Sequence, residues 1–168
     1  QMCIRDSSHI DGAGELSYLA DLSLIEKYIA PDTNNWNDFI NTLQDEEKLT
    51  HVRNAYLEQL SSHKTKSKTS HICDKMPHNF ILIGLIKLIF PEAKIIYCKR
   101  DPIDNCFSLY SHKFIEMSHQ YSYDQTILAK YYKMHEKLMN FWIEKFGDSI
   151  FVLDNETLVN KQEKLSRE

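Results

Sequence analysis

Hydrophobic positions along the chain fall into alternating helical and strand-like patterns. From Glu15, the residues Leu16, Leu19, Leu22, Ile25 and Ile29 follow helical spacing, and Pro31-Asp32 ends the run. Trp36, Phe39, Ile40 and Leu43 predict a second amphipathic helix, and Leu49, Val52, Tyr56 and Leu60 a third. His71 to Asp74 reads as a short strand, stopped by Lys75-Met76-Pro77. Phe80 to Phe90 is apolar nearly all round. Its Leu/Ile mix, bounded by Pro77 and Pro91, favours a buried helix over a strand. Ala93 to Cys98 is β-branched and aromatic, the composition of a strand buried on both faces.

The pattern then changes within a few residues. Asp101 suits a helix N-cap and Pro102 a first turn, and Ile103, Cys106, Phe107 and Tyr110 follow as an apolar stripe. A long helix is predicted from about Tyr123 to Phe146, with Ile127, Tyr131, Met134, Leu138, Trp142 and Phe146 as its stripe and Gly147 as its stop. Ser149 to Leu153 reads as another buried strand, and Leu158 and Leu165 mark a last helix. Strands alternating with helices give an α/β fold with a mainly parallel sheet, in which ligands bind at the carboxyl ends of strands. Lys75, Arg100 and Asn155 lie at such ends, and Gly12-Ala13-Gly14 reads as a loop leading to Glu15.

Composition adds bounds rather than a function. The chain has 168 residues, 42% hydrophobic and 26% charged, which suits one globular domain. A formal net charge of -4 gives no bulk attraction for polyanions, so nucleic acid is not an expected partner and an anion site must be built locally. The four cysteines form no C-x-x-C pair; Cys73, Cys98 and Cys106 lie in or beside apolar runs and read as buried reduced thiols, favouring a cytoplasmic setting. The eight histidines show no metal-ligand spacing, so no metal is expected. No apolar run approaches the ~20 residues of a membrane span. Lys64, Lys66 and Lys68 belong to a polar stretch from Ser61 to Ser70 that reads as a solvated loop. Gln1 to Ser7 resembles translated sequencing-adaptor sequence, so residues 8–168 are read as a partial domain, open at both ends.

Local chemistry leaves each candidate residue with two readings. Arg100, at a strand end beside a helix start, suits a phosphate; an exposed salt bridge is the competing reading. Ser108 shares a polar helix face with Asp104 and Ser111, or is merely solvated. Eight residues of helix rise ~12 Å, so spacing alone does not bring Arg100 and Ser108 onto one phosphate. Lys75 suits stabilisation of charge on a leaving oxygen, or is a surface lysine. Glu15 suits a general base, or is an acid favoured by a helix N-terminus.

The segment Cys73 to Phe114, CDKMPHNFILIGLIKLIFPEAKIIYCKRDPIDNCFSLYSHKF, resembles the sulfotransferases that use 3'-phosphoadenosine-5'-phosphosulfate (PAPS). Within them it is similar to the bacterial type often attached to tetratricopeptide repeats and related to tyrosylprotein sulfotransferases. The likeness extends back through Ile10 to Leu16 and forward to Leu158-Val159. It implies a P-loop-like, three-layer α/β/α fold. It also implies that Arg100 and Ser108 bind the donor's 3'-phosphate, that Glu15 is the general base, and that Lys75 steadies the sulfuryl group and leaving phosphate. The implied partner is an acceptor carrying a hydroxyl group, whether protein tyrosine, sugar or small molecule, and a homodimer is a permitted assembly. Two departures stand out: the segment that cradles the 5'-phosphosulfate has no counterpart before Gly12, and Asn155-Glu156 stands where the family has Tyr-Glu. Little donor binding or turnover is therefore expected of this stretch alone. A P-loop-like kinase and a non-catalytic domain of the same fold remain the alternatives.

Overall fold

In a computed structural model, the structure describes residues 9–19, 43–62, 70–114 and 117–165. The adaptor-like residues, most of the first two expected helices and most of the lysine-bearing stretch lie outside them. The chain divides into two compact units, Gln1–Pro91 and Glu92–Glu168.

In the first unit, strand β1 (Ile10–Gly14) pairs in parallel with β2 (His71–Asp74). Gly12-Ala13-Gly14 is thus the end of a strand, not a loop. Cys73 pairs with Gly12 and Asp74 with Gly14, so Ala13 is an extra residue that bulges β1. The bulge closes on Gly14, whose φ of +86° lies in the region that side chains disfavour. Nothing lies within 4 Å of where a Cβ would stand there, so the backbone angle rather than crowding selects glycine. Glu15 to Ser17 are irregular and Tyr18-Leu19 form a turn, so no helix starts at Glu15.

Helix α1 (Glu46–Ser62) begins at Asp45, whose carboxylate accepts from the Glu47 and Lys48 N–H groups at 3.0 and 3.3 Å. Its buried residues are Leu49, Val52, Tyr56 and Leu60, the stripe expected from spacing. They form one core with Leu16, Leu19 and Ile89. Pro77 opens a 3-10 turn (Pro77–Leu82) before helix α2 (Ile83–Ile89), so the expected single buried helix is split. Only Ile83 and Ile89 of it are fully buried, while Ile81 and Leu88 are half exposed. Arg53 reaches from α1 to donate to the Ile89 carbonyl at 2.5 Å, satisfying a carbonyl that the end of α2 leaves free.

In the second unit, β3 (Ile95–Lys99) pairs in parallel with β4 (Ile150–Asp154) over five residues without a bulge. Helix α3 spans Pro102–Ser111, and α4 spans Gln125–Phe146 after a 3-10 segment, Met117–Tyr123. Tyr97 of β3 meets His135 of α4 with ring centroids 5.6 Å apart. Burial pushes the Tyr97 phenol up to about 12, with Tyr132 and Glu136 adding to it, and lowers His135.

Several burial expectations fail in this unit. The strand pair is only partly covered: Ile95 and Tyr97 are half-buried, whereas Ile96 is 61% exposed. The α3 stripe is open as well, Ile103 at 78% and Phe107 at 70%. On α4 the fully buried residues are Leu128 and Met139, and Ile127 and Met134 face out. Gly147 keeps right-handed angles and leads into a 3-10 turn, Gly147–Ser149, rather than stopping the helix in a left-handed cap. The last helix is two short ones, α5 (Asn155–Asn160) and α6 (Gln162–Leu165). Cys98 is exposed and Cys73 and Cys106 are only half-buried. Burial raises the Cys106 thiol.

Chemical denaturation of the whole chain distinguishes these environments. Ile89→Ala is expected to lose about 2–5 kcal/mol through its cavity, and Ile103→Ala less than about 0.5 kcal/mol. Gly14→Ala is expected to lose about 1–2 kcal/mol through its left-handed backbone alone.

Candidate functional site

The two parallel pairs deliver candidate residues at their carboxyl ends. In the first unit, β1 ends at Gly14 and Glu15 follows; β2 ends at Asp74 and Lys75 follows. The Lys75 N–H donates to the Gly14 carbonyl at 2.9 Å, carrying the strand contact one step beyond the ladder. Lys75 Nζ and Glu15 Oε1 form an ion pair. Their side chains are 41% and 54% exposed, so the pair adds little to stability, about 0–1 kcal/mol. Its interest lies in holding an acid and an amine side by side at an open strand edge.

Asp74 sits at the centre of this edge. Its Oδ1 accepts from the Leu16 N–H at 3.4 Å; its Oδ2 accepts from the Tyr56 hydroxyl at 2.8 Å and the Asn79 side-chain amide at 3.4 Å. The Tyr56 ring is 6% exposed and tilts against Phe90 at 5.3 Å. Burial drives its phenol far above the ordinary range, and the Asp74 hydrogen bond and charge push the same way, so it stays a neutral donor. Neither Asp74 nor Tyr56 was among the expected site residues. The available signal was one polar-tipped aromatic on an otherwise aliphatic stripe, since a buried tyrosine hydroxyl needs a partner.

In the second unit, Arg100 follows β3 and Asn155 follows β4. Arg100 is exposed, and no ion-pair partner for it lies among the described residues. Asp101 caps α3 as expected, its Oδ1 accepting from Ile103 and Asp104 N–H at 2.9 and 3.1 Å. The Asn105 N–H bonds the Asp101 carbonyl at 2.9 Å, and Pro102 has no N–H. The Asp101 N–H itself donates to Glu156 Oε1 at 3.1 Å. The start of α3 therefore has its backbone donors engaged. Ser108 lies exposed on α3, its carbonyl accepting from the Ser111 hydroxyl at 3.2 Å. Among the described residues no hydrogen bond joins Ser108 to Arg100. Glu156, which sequence reasoning did not single out, ties the start of α5 to the Arg100 turn.

Asp154, the last residue of β4, caps α5 by accepting from the Thr157 N–H at 2.7 Å. Hydrogen bonds from the Thr157 side chain and backbone, with Lys99 adding, hold its carboxyl below the usual carboxylate range. Among the described residues, no group of His, Cys, Asp and Glu is arranged to hold a metal ion, and no helix is long and apolar enough to cross a membrane.

Parallel strand pairs followed by helices describe an α/β protein. The chain belongs to the sulfotransferase family, whose profile matches residues 8–168. An uncharacterized protein of Aquifex aeolicus (strain VF5) is similar, 32% identical across 100% of this chain and 22% of its own length. The chain thus spans about a fifth of that relative. No solved structure matches it.

Two measurements check these capping arrangements. Asp101→Ala is expected to destabilise the chain by about 1 kcal/mol in thermal unfolding. Because Asp154 is depressed in the folded state, its contribution is complete above the ordinary carboxylate value and is lost as pH falls through the folded one. Asp154→Asn should therefore flatten the acid side of a stability profile recorded by urea unfolding from about pH 5 to about pH 2.

Proposed function

We propose that the protein carrying this chain transfers a sulfuryl group from PAPS to an acceptor hydroxyl. The observation that carries the reading is the Glu15–Lys75 ion pair at the carboxyl ends of β1 and β2. Family membership and the exposed Arg100 at the end of β3 support it. In this reading Glu15 accepts the proton of the acceptor hydroxyl as its oxygen bonds to sulfur. The bond from sulfur to the bridging phosphate oxygen breaks, and 3'-phosphoadenosine-5'-phosphate leaves. Lys75 offsets the charge that grows on that oxygen. Arg100 offers a planar fork to the 3'-phosphate, and Ser108 a hydroxyl.

Positioning and electrostatics are enough for such a transfer, as in phosphoryl transfer, and none of these residues calls for a metal. A glutamate directly after a glycine-rich strand end is the arrangement that resembles tyrosylprotein sulfotransferases. Protein tyrosine is therefore the first acceptor to assay, followed by sugars and small hydroxyl compounds.

The test uses labelled PAPS and the protein expressed from its full reading frame. Glu15→Gln is expected to lower kcat by ~10²–10⁴-fold with donor KM little changed. Arg100→Ala is expected to raise donor KM by roughly 10–100-fold, the loss of charge-assisted hydrogen bonds to phosphate. No transfer to any hydroxyl by the wild-type protein, with donor bound, would overturn the reading in favour of a binding domain.

A further inference from the structure

Glu15 and Lys75 have long, half-exposed side chains, and an ion pair between such groups does not fix its own geometry. The backbone around them is held far more firmly. Gly14, just before Glu15, accepts from the Lys75 N–H at 2.9 Å. Leu16, just after Glu15, donates to Asp74 Oδ1 at 3.4 Å. Glu15 is therefore gripped on both sides, once by the residue that bears the amine and once by the residue before it. The bulge at Ala13 and the positive φ of Gly14 turn the chain into this grip.

The carboxylate that makes the second contact is itself anchored. Tyr56 projects from the buried stripe of α1, and its hydroxyl donates to Asp74 Oδ2 at 2.8 Å. Asn79, in the 3-10 turn after β2, adds its side-chain amide at 3.4 Å. Three elements thus supply donors to one carboxylate: the exit of β1, α1 and the 3-10 turn. The helix core fixes Tyr56, Tyr56 fixes Asp74, and Asp74 fixes the backbone beside Glu15.

We propose that Asp74, anchored by Tyr56, is the positioning residue that keeps Glu15 and Lys75 opposed across the ends of β1 and β2. Its consequence for catalysis rests on the sulfuryl-transfer reading; the clamp itself does not. Asp74 touches neither donor nor acceptor in this scheme, so its removal acts on the placement of the base and leaves the 3'-phosphate contacts alone.

Two readouts on Asp74→Ala, Asp74→Asn and Tyr56→Phe test this. The first is amide hydrogen exchange at Leu16 and Lys75, referenced to Val52 and Leu60 in α1. In Asp74→Ala the Leu16 and Lys75 amides are expected to lose ~tenfold or more in protection, while Val52 and Leu60 stay within about twofold. Asp74→Asn keeps an acceptor oxygen for Leu16 and should retain most of the protection. Tyr56→Phe, which removes one hydroxyl from a hydrophobic site, should fall between them and keeps the test open should the alanine variant not fold.

The second readout is sulfuryl transfer by the protein from its full reading frame. There kcat should fall ~tenfold in Asp74→Ala and Tyr56→Phe with donor KM within about twofold. Unchanged Leu16 and Lys75 protection, or equal loss at all four amides, overturns the positioning role. So does normal kcat in a folded Asp74→Ala. Selective loss of protection in a protein that transfers no sulfuryl group upholds the clamp and instead overturns the assigned reaction.

Discussion

Parallel pairing is the constraint from which the candidate chemistry follows. Two parallel strands leave their ladder at the same edge, so the residues just past each end become neighbours whatever their separation in sequence. Glu15 and Lys75 are 60 positions apart and meet because Gly14 pairs with Asp74. In the second unit Lys99 pairs with Asp154, which puts Arg100 and Asn155 next past one edge. Each of the four described strands is thus followed at once by a side chain able to touch an anion or move a proton.

Local devices then direct those side chains. The bulge and positive φ at Gly14 turn Glu15 out of the strand direction, and Asp74 and Lys75 hold the backbone on either side of it. At Arg100 the neighbouring Asp101 engages the helix donors with its own carboxylate while Glu156 takes the Asp101 N–H. The two arrangements share a logic. In each, backbone groups beside the strand-end side chain are engaged by neighbouring residues. Arg100 itself stays exposed at the end of β3, and no ion-pair partner for it lies among the described residues.

Much of the architecture was legible along the chain. The α1 stripe is Leu49, Val52, Tyr56 and Leu60, as spacing predicts, because one helix packs on one core. The strands at His71, Ile95 and Ile150 and the Asp101–Pro102 helix start depend on local propensity and capping, and they too could be read. Burial could not. Ile96, Ile103, Phe107 and Met134 carry the composition of core residues and are more than half exposed, because composition says what a face prefers and not whether another element covers it. The glycine run looked like a loop since glycine weakens strands; pairing with β2 overrode that preference.

Sequence by itself determined the alternation of strands and helices, the family, and the residue types placed at strand ends. These are set by periodicity within a dozen residues and by motif order, both carried in the linear chain. Tertiary structure decided which of those residues meet. It joined Glu15 to Lys75, recruited Tyr56 from a core stripe to hold Asp74, and engaged the first donors of α3 with the Asp101 carboxylate. Hydrogen-bond partners are chosen by distance in space, and no spacing rule along the chain reports that distance.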